Sequence, residues 1–146
     1  DRIVNVAAAR LRLPAPLVVV DFGTATTFDV LDAPSVYRGG IIAPGIGLSR
    51  DILSERTAKL PKIALARPER VIGRSTAAAM ASGLVLAYEA MVEGIVSRIE
   101  AELGASVQLL CTGGYASLIR LNRPSQDAPL LWAWGLQQCG RQMGQF

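Results

Sequence analysis

An apolar run, Leu17-Val18-Val19-Val20, breaks into Asp21-Phe22-Gly23-Thr24-Ala25-Thr26-Thr27-Phe28-Asp29. The run has the composition of a buried strand. Its end is a carboxylate, a glycine and a cluster of hydroxyls. Backbone N–H and hydroxyl groups at a strand tip can face a polar ligand, and glycine lets the backbone approach it closely. These residue types suit a phosphate and the cation that accompanies it. The plainer alternative is a tight turn into a threonine-rich second strand whose hydroxyls are only solvated.

At 146 residues the sequence is expected to form one domain with a real core. Hydrophobic residues make up 51% and charged residues 18%, which is a globular and not a disordered balance. The net charge of +3 is spread among scattered arginines with few aromatics, so no nucleic-acid partner is expected. There is no histidine, which excludes histidine-based metal sites and Ser-His-Asp catalysis. Cys111 and Cys139 sit in apolar surroundings and read as reduced core thiols of a cytoplasmic protein. No uninterrupted apolar run reaches bilayer length and no signal peptide opens the chain, so no membrane partner is expected. The first residue is Asp1 and not methionine, which reads as an excised or processed domain.

Periodicity predicts a helix from Asp1 to about Leu13, with Ile3, Val6, Ala7, Arg10 and Leu11 in partial helical spacing and Pro14 as its stop. Three strands follow, Leu17–Phe22, Ala25–Leu31 and Val36–Ile42. Gly39-Gly40 inside the third predicts a bulge or a close backbone approach. A helix is expected over Ile46–Thr57, a long loop over Ala58–Ser75, and a helix over Thr76–Leu103. Met80, Leu84, Ala87, Met91, Ile95 and Ile99 would form the inner face of that last helix, and Gly104 its end. Strand Val107–Cys111, a short helix to Leu121, a polar loop over Asn122–Pro129 and a helix over Leu130–Met143 complete the order. This pattern predicts a layered α/β domain.

Six short motifs lie along these elements. They are Asp1-Arg2 before Asn5, Asp21-Phe22-Gly23-Thr24, Gly39-Gly40-Ile41-Ile42-Ala43-Pro44-Gly45, Thr57-Ala58-Lys59-Leu60-Pro61, Gly73-Arg74-Ser75-Thr76 and Thr112-Gly113-Gly114-Tyr115. In this order they resemble the type III pantothenate kinases, of the acetate and sugar kinase, Hsp70 and actin superfamily. The resemblance implies half of an actin-like, ribonuclease H-like ATPase fold: three antiparallel strands, then helix-linked strands, with the long helix packed on the sheet. It implies ATP-dependent phosphorylation of pantothenate to 4′-phosphopantothenate, the first step toward coenzyme A.

The resemblance also assigns roles. Asp1 matches the catalytic aspartate that takes the proton of the substrate hydroxyl, although aspartate equally suits a helix N-cap. Arg2 and Thr76, with Asp1, match the pantothenate site. Arg2 is otherwise a solvated charge, poorly placed at a helix start, and Thr76 is otherwise the N-cap of the long helix. Asp21 matches the ligand of an activating monovalent cation, K+ or NH4+. Thr24 with Gly23 matches the ATP-phosphate contact, and Gly113 and Gly114 match the adenosine side. Mg2+ would accompany ATP, held mostly by phosphates and water. A homodimer formed partly by the long helix is implied as well.

The family's amino-terminal half carries an Asp-x-Gly-Asn-Thr turn that this sequence lacks. Residues 1–146 therefore read as one domain, the carboxyl-terminal half, supplying one wall of the ATP site and little activity alone. Trp132 and Trp134 depart from the family's closing stretch. A second reading is a catalytically inactive, pantothenate-kinase-like regulatory or accessory protein.

Overall fold

A computed structural model describes residues 2–34, 36–131 and 133–137. Five strands form one sheet in the order β3-β2-β1-β4-β5. Strands β1 (Leu17–Phe22), β2 (Ala25–Asp32) and β3 (Val36–Pro44) are an antiparallel meander. Strand β4 (Gln108–Thr112) runs parallel to β1, and β5 (Gln126–Asp127) runs parallel to β4. A parallel return needs a crossover, and the helices between β3 and β4 supply it. The two-residue β5 interrupts the segment expected to be a polar loop.

Central β1 is buried on both faces, as its unbroken Val run requires: Leu17, Val18, Val19 and Val20 are all at most 1% exposed. One face of the sheet packs Val18, Val20, Phe22, Phe28 and Cys111 against Val92, Val96 and Ile99 of the long helix α3 (Thr76–Leu103). The other face packs Leu17, Val19, Leu31 and Leu110 against Ala8 and Ala9 of α1 (Arg2–Arg10) and Leu131 of the helical stretch 131–137. Helix α2 (Ile46–Arg56) meets α3 through a third cluster containing Ile46, Leu84, Val85 and Tyr88.

Two helices use faces other than those the spacing predicts. In α1 the buried residues are Asn5, Ala8 and Ala9, while Ile3 is 82% exposed. The polar first turn is drawn onto the sheet by carboxylates described below. In α3, Met80, Leu84 and Ile99 are buried as expected, but Val85, Tyr88, Val92 and Val96 replace Ala87, Met91 and Ile95 on the deepest face. By length and mean hydropathy (1.4 over an 18-residue window) α3 is long and apolar enough to cross a membrane, although Glu89 and Glu93 interrupt its apolar run; here its valines line the sheet core.

Ser75 caps α3, its hydroxyl accepting the Ala78 N–H at 3.2 Å, and Gly104 closes the helix. Residues 57–75 form no helix or strand but are strapped to α3. Arg67 bonds Glu89, and the Ser82 hydroxyl donates to the Val71 carbonyl. The Gly39-Gly40 expectation holds in both its forms. The register slips between Val30 and Leu31 opposite Gly39, whose φ is +115°, and Gly40 lies so close to the Phe28 carbonyl that no side chain fits there. Cys111 is a buried free thiol, and Cys139 lies outside the described residues.

Candidate active site

Strands β1 and β4 end side by side, with Asp21 opposite Thr112. The chain turns sharply at both tips. After β1, Gly23 and Thr24 lead into β2, the Gly23 N–H donating to the Ala25 carbonyl at 3.1 Å. After β4, Gly113 adopts φ +98° and folds back over β1. A Cβ on Gly113 would lie 2.5 Å from Asp21 Oδ1 and 2.6 Å from the Phe22 backbone, so only glycine fits this crossing. The Tyr115 N–H then donates to the Phe22 carbonyl at 3.2 Å. Asp21, Gly23, Thr24, Gly113 and Gly114 thus share one end of the sheet, where crevices beside parallel strand ends take ligands. Thr24 and Gly114 are exposed there, and nothing crowds Gly114.

Helix α1 brings its first turn to the same face. Arg2 and Asn5 are three residues apart and so point the same way. Asn5 Nδ2 donates to Asp21 Oδ2 at 3.0 Å. Arg2 Nε and Nη2 donate to Asp29 Oδ1 at 3.0 and 2.7 Å, and the Tyr37 hydroxyl donates to the same oxygen at 2.8 Å. The strand register explains the pairing. Asp21 sits opposite Thr27 on β2, so Asp29, two residues further, shares its face of the sheet.

Burial pushes the Asp21 carboxyl above the usual carboxylate range, with nearby Asp29 adding to the rise and the Asn5 amide opposing it. The hydrogen bond to Asp29 raises Arg2 further into the charged range and holds the Tyr37 phenol protonated above its ordinary value. Asn5 is 3% exposed, and its Oδ1 has no hydrogen-bond partner among the described residues.

Thr76 belongs to α3. It is the first residue of that helix, with Ser75 as the cap, so capping does not occupy its hydroxyl. It borders a groove of about 680 Å³ between α2 and α3, lined by Pro44, Ile52, Leu60, Met80 and Tyr88 among others. No hydrogen bond joins it to Asp21 or Arg2 among the described residues. Asp1 lies outside the described residues. Asn5 was legible only as a neighbour of Asp1-Arg2, and Tyr37 carried no signal. Asp29 could have been found from strand parity alone.

The family model for type III pantothenate kinase matches residues 1–98. The chain belongs to the type III pantothenate kinase family. Type III pantothenate kinases from Dehalococcoides mccartyi (52% identical over 119 residues) and Acidiphilium cryptum (50% over 119 residues) each match 82% of this chain. That from Caulobacter vibrioides is 51% identical over 120 residues, 81% of the chain. The chain spans less than half the length of these pantothenate kinases, 46%, 45% and 46% respectively.

Two solved structures share the fold. A Campylobacter jejuni protein described as a Baf family transcriptional activator has a TM-score of 0.68 at 21% identity, over 98% of this chain and 65% of its own. The xylulose kinase of Rhodospirillum rubrum has a TM-score of 0.51 at 14% identity, over 92% of this chain and 39% of its own. The likeness to a sugar kinase identifies this α/β sheet and its long helix as an actin-like ATPase fold.

Proposed function

We propose that this chain is the carboxyl-terminal half of an enzyme that transfers the γ-phosphoryl group of ATP to the primary hydroxyl of pantothenate. The observation that carries the reading is the meeting of three things at one sheet end: the Asp21 carboxylate, the two glycine turns and the first turn of α1. Phosphoryl transfer asks a protein for a positioned nucleophile, neutralised phosphate charge and exclusion of water. Asp1 is the base. As the hydroxyl oxygen attacks, the bond from the γ-phosphorus to the bridging oxygen breaks, ADP leaves, and the hydroxyl proton passes to the Asp1 carboxylate. Arg2 and Thr76 hold pantothenate, Gly23 and Thr24 meet the ATP phosphates, and Gly113 and Gly114 give the nucleoside a bare backbone to lie on.

The residues fit a monovalent cation better than a divalent cage. Among the described residues no three of His, Cys, Asp or Glu cluster as a metal site. Asp21 is a single desolvated carboxylate beside an amide whose oxygen lacks a partner. A K+ or NH4+ ion held by Asp21 would supply positive charge next to the phosphates, and Mg2+ would arrive with ATP. Thr76 and the apolar groove along α3 support a homodimer in which that helix contributes to the interface. A cytoplasmic location accords with a free buried thiol at Cys111.

The test is a coupled ADP-release assay on the full-length protein with ATP, Mg2+, K+ and pantothenate. Turnover that requires pantothenate and rises with K+ is expected. ATP binding without pantothenate-dependent turnover would overturn the reading and leave the inactive regulatory protein in its place.

A further inference from the structure

The Asp29–Arg2 pair is built asymmetrically. The Asp29 side chain is 3% exposed and the Arg2 side chain 38%. A buried carboxylate therefore grips a cation that still reaches solvent. Oδ1 of Asp29 takes donors from Arg2 Nε, Arg2 Nη2 and the Tyr37 hydroxyl, and Nη2 also reaches the Tyr37 oxygen at 3.2 Å. One edge of the guanidinium is thereby fixed, and Nη1 has no protein partner among the described residues. Below it lies Gly40, where a Cβ would stand 2.6 Å from Nη2. The guanidinium rests on bare backbone that any side chain would take from it.

Attachment of α1 to the sheet does not rest on the Asp29–Arg2 pair alone, since Asn5 also bonds Asp21. Ala8 and Ala9 already bury against the sheet, and apolar contacts make such joints without the desolvation cost of a buried charge. A charge held by one edge, with the other edge left over, is the geometry that receives a carboxylate in a fixed orientation.

We infer that Asp29, seconded by Tyr37, is a positioning residue that fixes Arg2 by its Nε–Nη2 edge and leaves Nη1 to receive the carboxylate of the acceptor substrate. The inference rests on the pantothenate kinase reading, since pantothenate is the acid that would present that carboxylate. Asp29 itself touches no substrate. It acts through Arg2, and its removal should weaken acceptor binding more than it slows the chemical step.

The experiment is a double-mutant cycle in the full-length protein, with Asp29→Asn, Arg2→Ala and the two combined. Asp29→Asn should raise KM for pantothenate about tenfold while KM for ATP changes less than about twofold, because only a charge-assisted contact to the acceptor is lost. In the Arg2→Ala background the Asp29→Asn effect should disappear, the signature of two residues acting as one unit. With the neutral analogue in which the carboxylate is reduced to an alcohol, wild type and Asp29→Asn should be alike. Additive losses, or equal losses on both substrates, would overturn the inference.

Tyr37→Phe removes one donor and keeps the ion pair, so it serves if Asp29→Asn fails to fold; a rise of about threefold in pantothenate KM is expected from one lost hydrogen bond. No rise would count against the inference. If wild type never phosphorylates pantothenate, the kinase reading falls by itself. Exchange of the Arg2 Nε proton in the full-length protein, followed by NMR, then decides whether Asp29 holds Arg2. At least about tenfold faster exchange in Asp29→Asn is expected once a charge-assisted bond is broken, and unchanged exchange contradicts the grip.

Discussion

Glu100 shows how single side chains tie the loops to α3. Its Oε1 accepts the Val107 N–H at 3.1 Å and its Oε2 meets Arg123 Nη1 at 3.1 Å, while Arg123 also bonds Glu93 at 2.9 Å. The Val107 bond, helped by Arg123, holds the Glu100 carboxyl below its ordinary range. A carboxyl depressed in the folded state stabilises above its unfolded value of about 4.3, and that stability is lost as pH falls through the lower folded value. Thermal unfolding of Glu100→Gln should therefore show a deficit on the order of 1 kcal/mol near pH 7. The deficit should close as the pH drops below about 4. A pH-independent deficit would deny the charge its role. Cys111 behaves oppositely. Burial pushes its thiol up to about 12, so alkylation at pH 8 followed by peptide mapping should modify it only after unfolding. Asp21→Asn should abolish activation by K+ in the full-length protein and lower turnover by about a hundredfold, read from rates in K+ against a large organic cation. At this scale the sequence marked residues that the fold brings together, since Asp21, Gly23, Thr24, Gly113 and Gly114 do meet at one sheet end. It did not show Tyr37, because a tyrosine on an exposed edge strand has no pattern until the partner carboxylate is placed opposite.

The elements were legible where periodicity and stop signals agree. Strands β1 to β3 and helix α3 stand within two residues of where composition places them. The faces of α1 and α3 were not. An apolar stripe predicts the inward face only when the opposing surface is apolar, and α1 lies over a sheet face that carries Asp21 and Asp29. Two carboxylates therefore outweigh Ile3 and Leu11, which stay exposed. The short β5 escaped notice because two residues carry no period. The turn after β4 makes the sharpest element-scale test. Gly113→Ala places a methyl against the β1 backbone in a positive-φ conformation, and should cost more than about 2 kcal/mol by chemical denaturation. Ser75→Ala removes only the α3 cap and should cost about 1 kcal/mol. Similar small costs for both would mean that the Gly113 turn after β4 does not cross β1 closely.

Across the whole molecule, the sheet, the two glycine turns and the docked start of α1 gather at one sheet end, the wall of a phosphoryl-transfer site in the function proposed above. This chain spans less than half the length of its pantothenate kinase relatives, and the proposed function makes it one half of the enzyme. Residues 1–146 alone should therefore give no measurable pantothenate phosphorylation where the full-length protein does. If the proposed homodimer uses the groove beside α3, light scattering of the full-length protein should report a dimer, and Gly83→Arg, whose exposed position lies in that groove, should shift it toward monomer. The most direct measurement is the steady-state rate of pantothenate phosphorylation by full-length protein carrying Asp1→Asn. A fall in kcat of about 10³-fold with ATP affinity preserved is the predicted result, since a lost general base costs the chemical step and not nucleotide binding. Turnover equal to wild type would contradict the account, because Asp1 would then take no part in the site that Arg2 and Asn5 dock against the sheet.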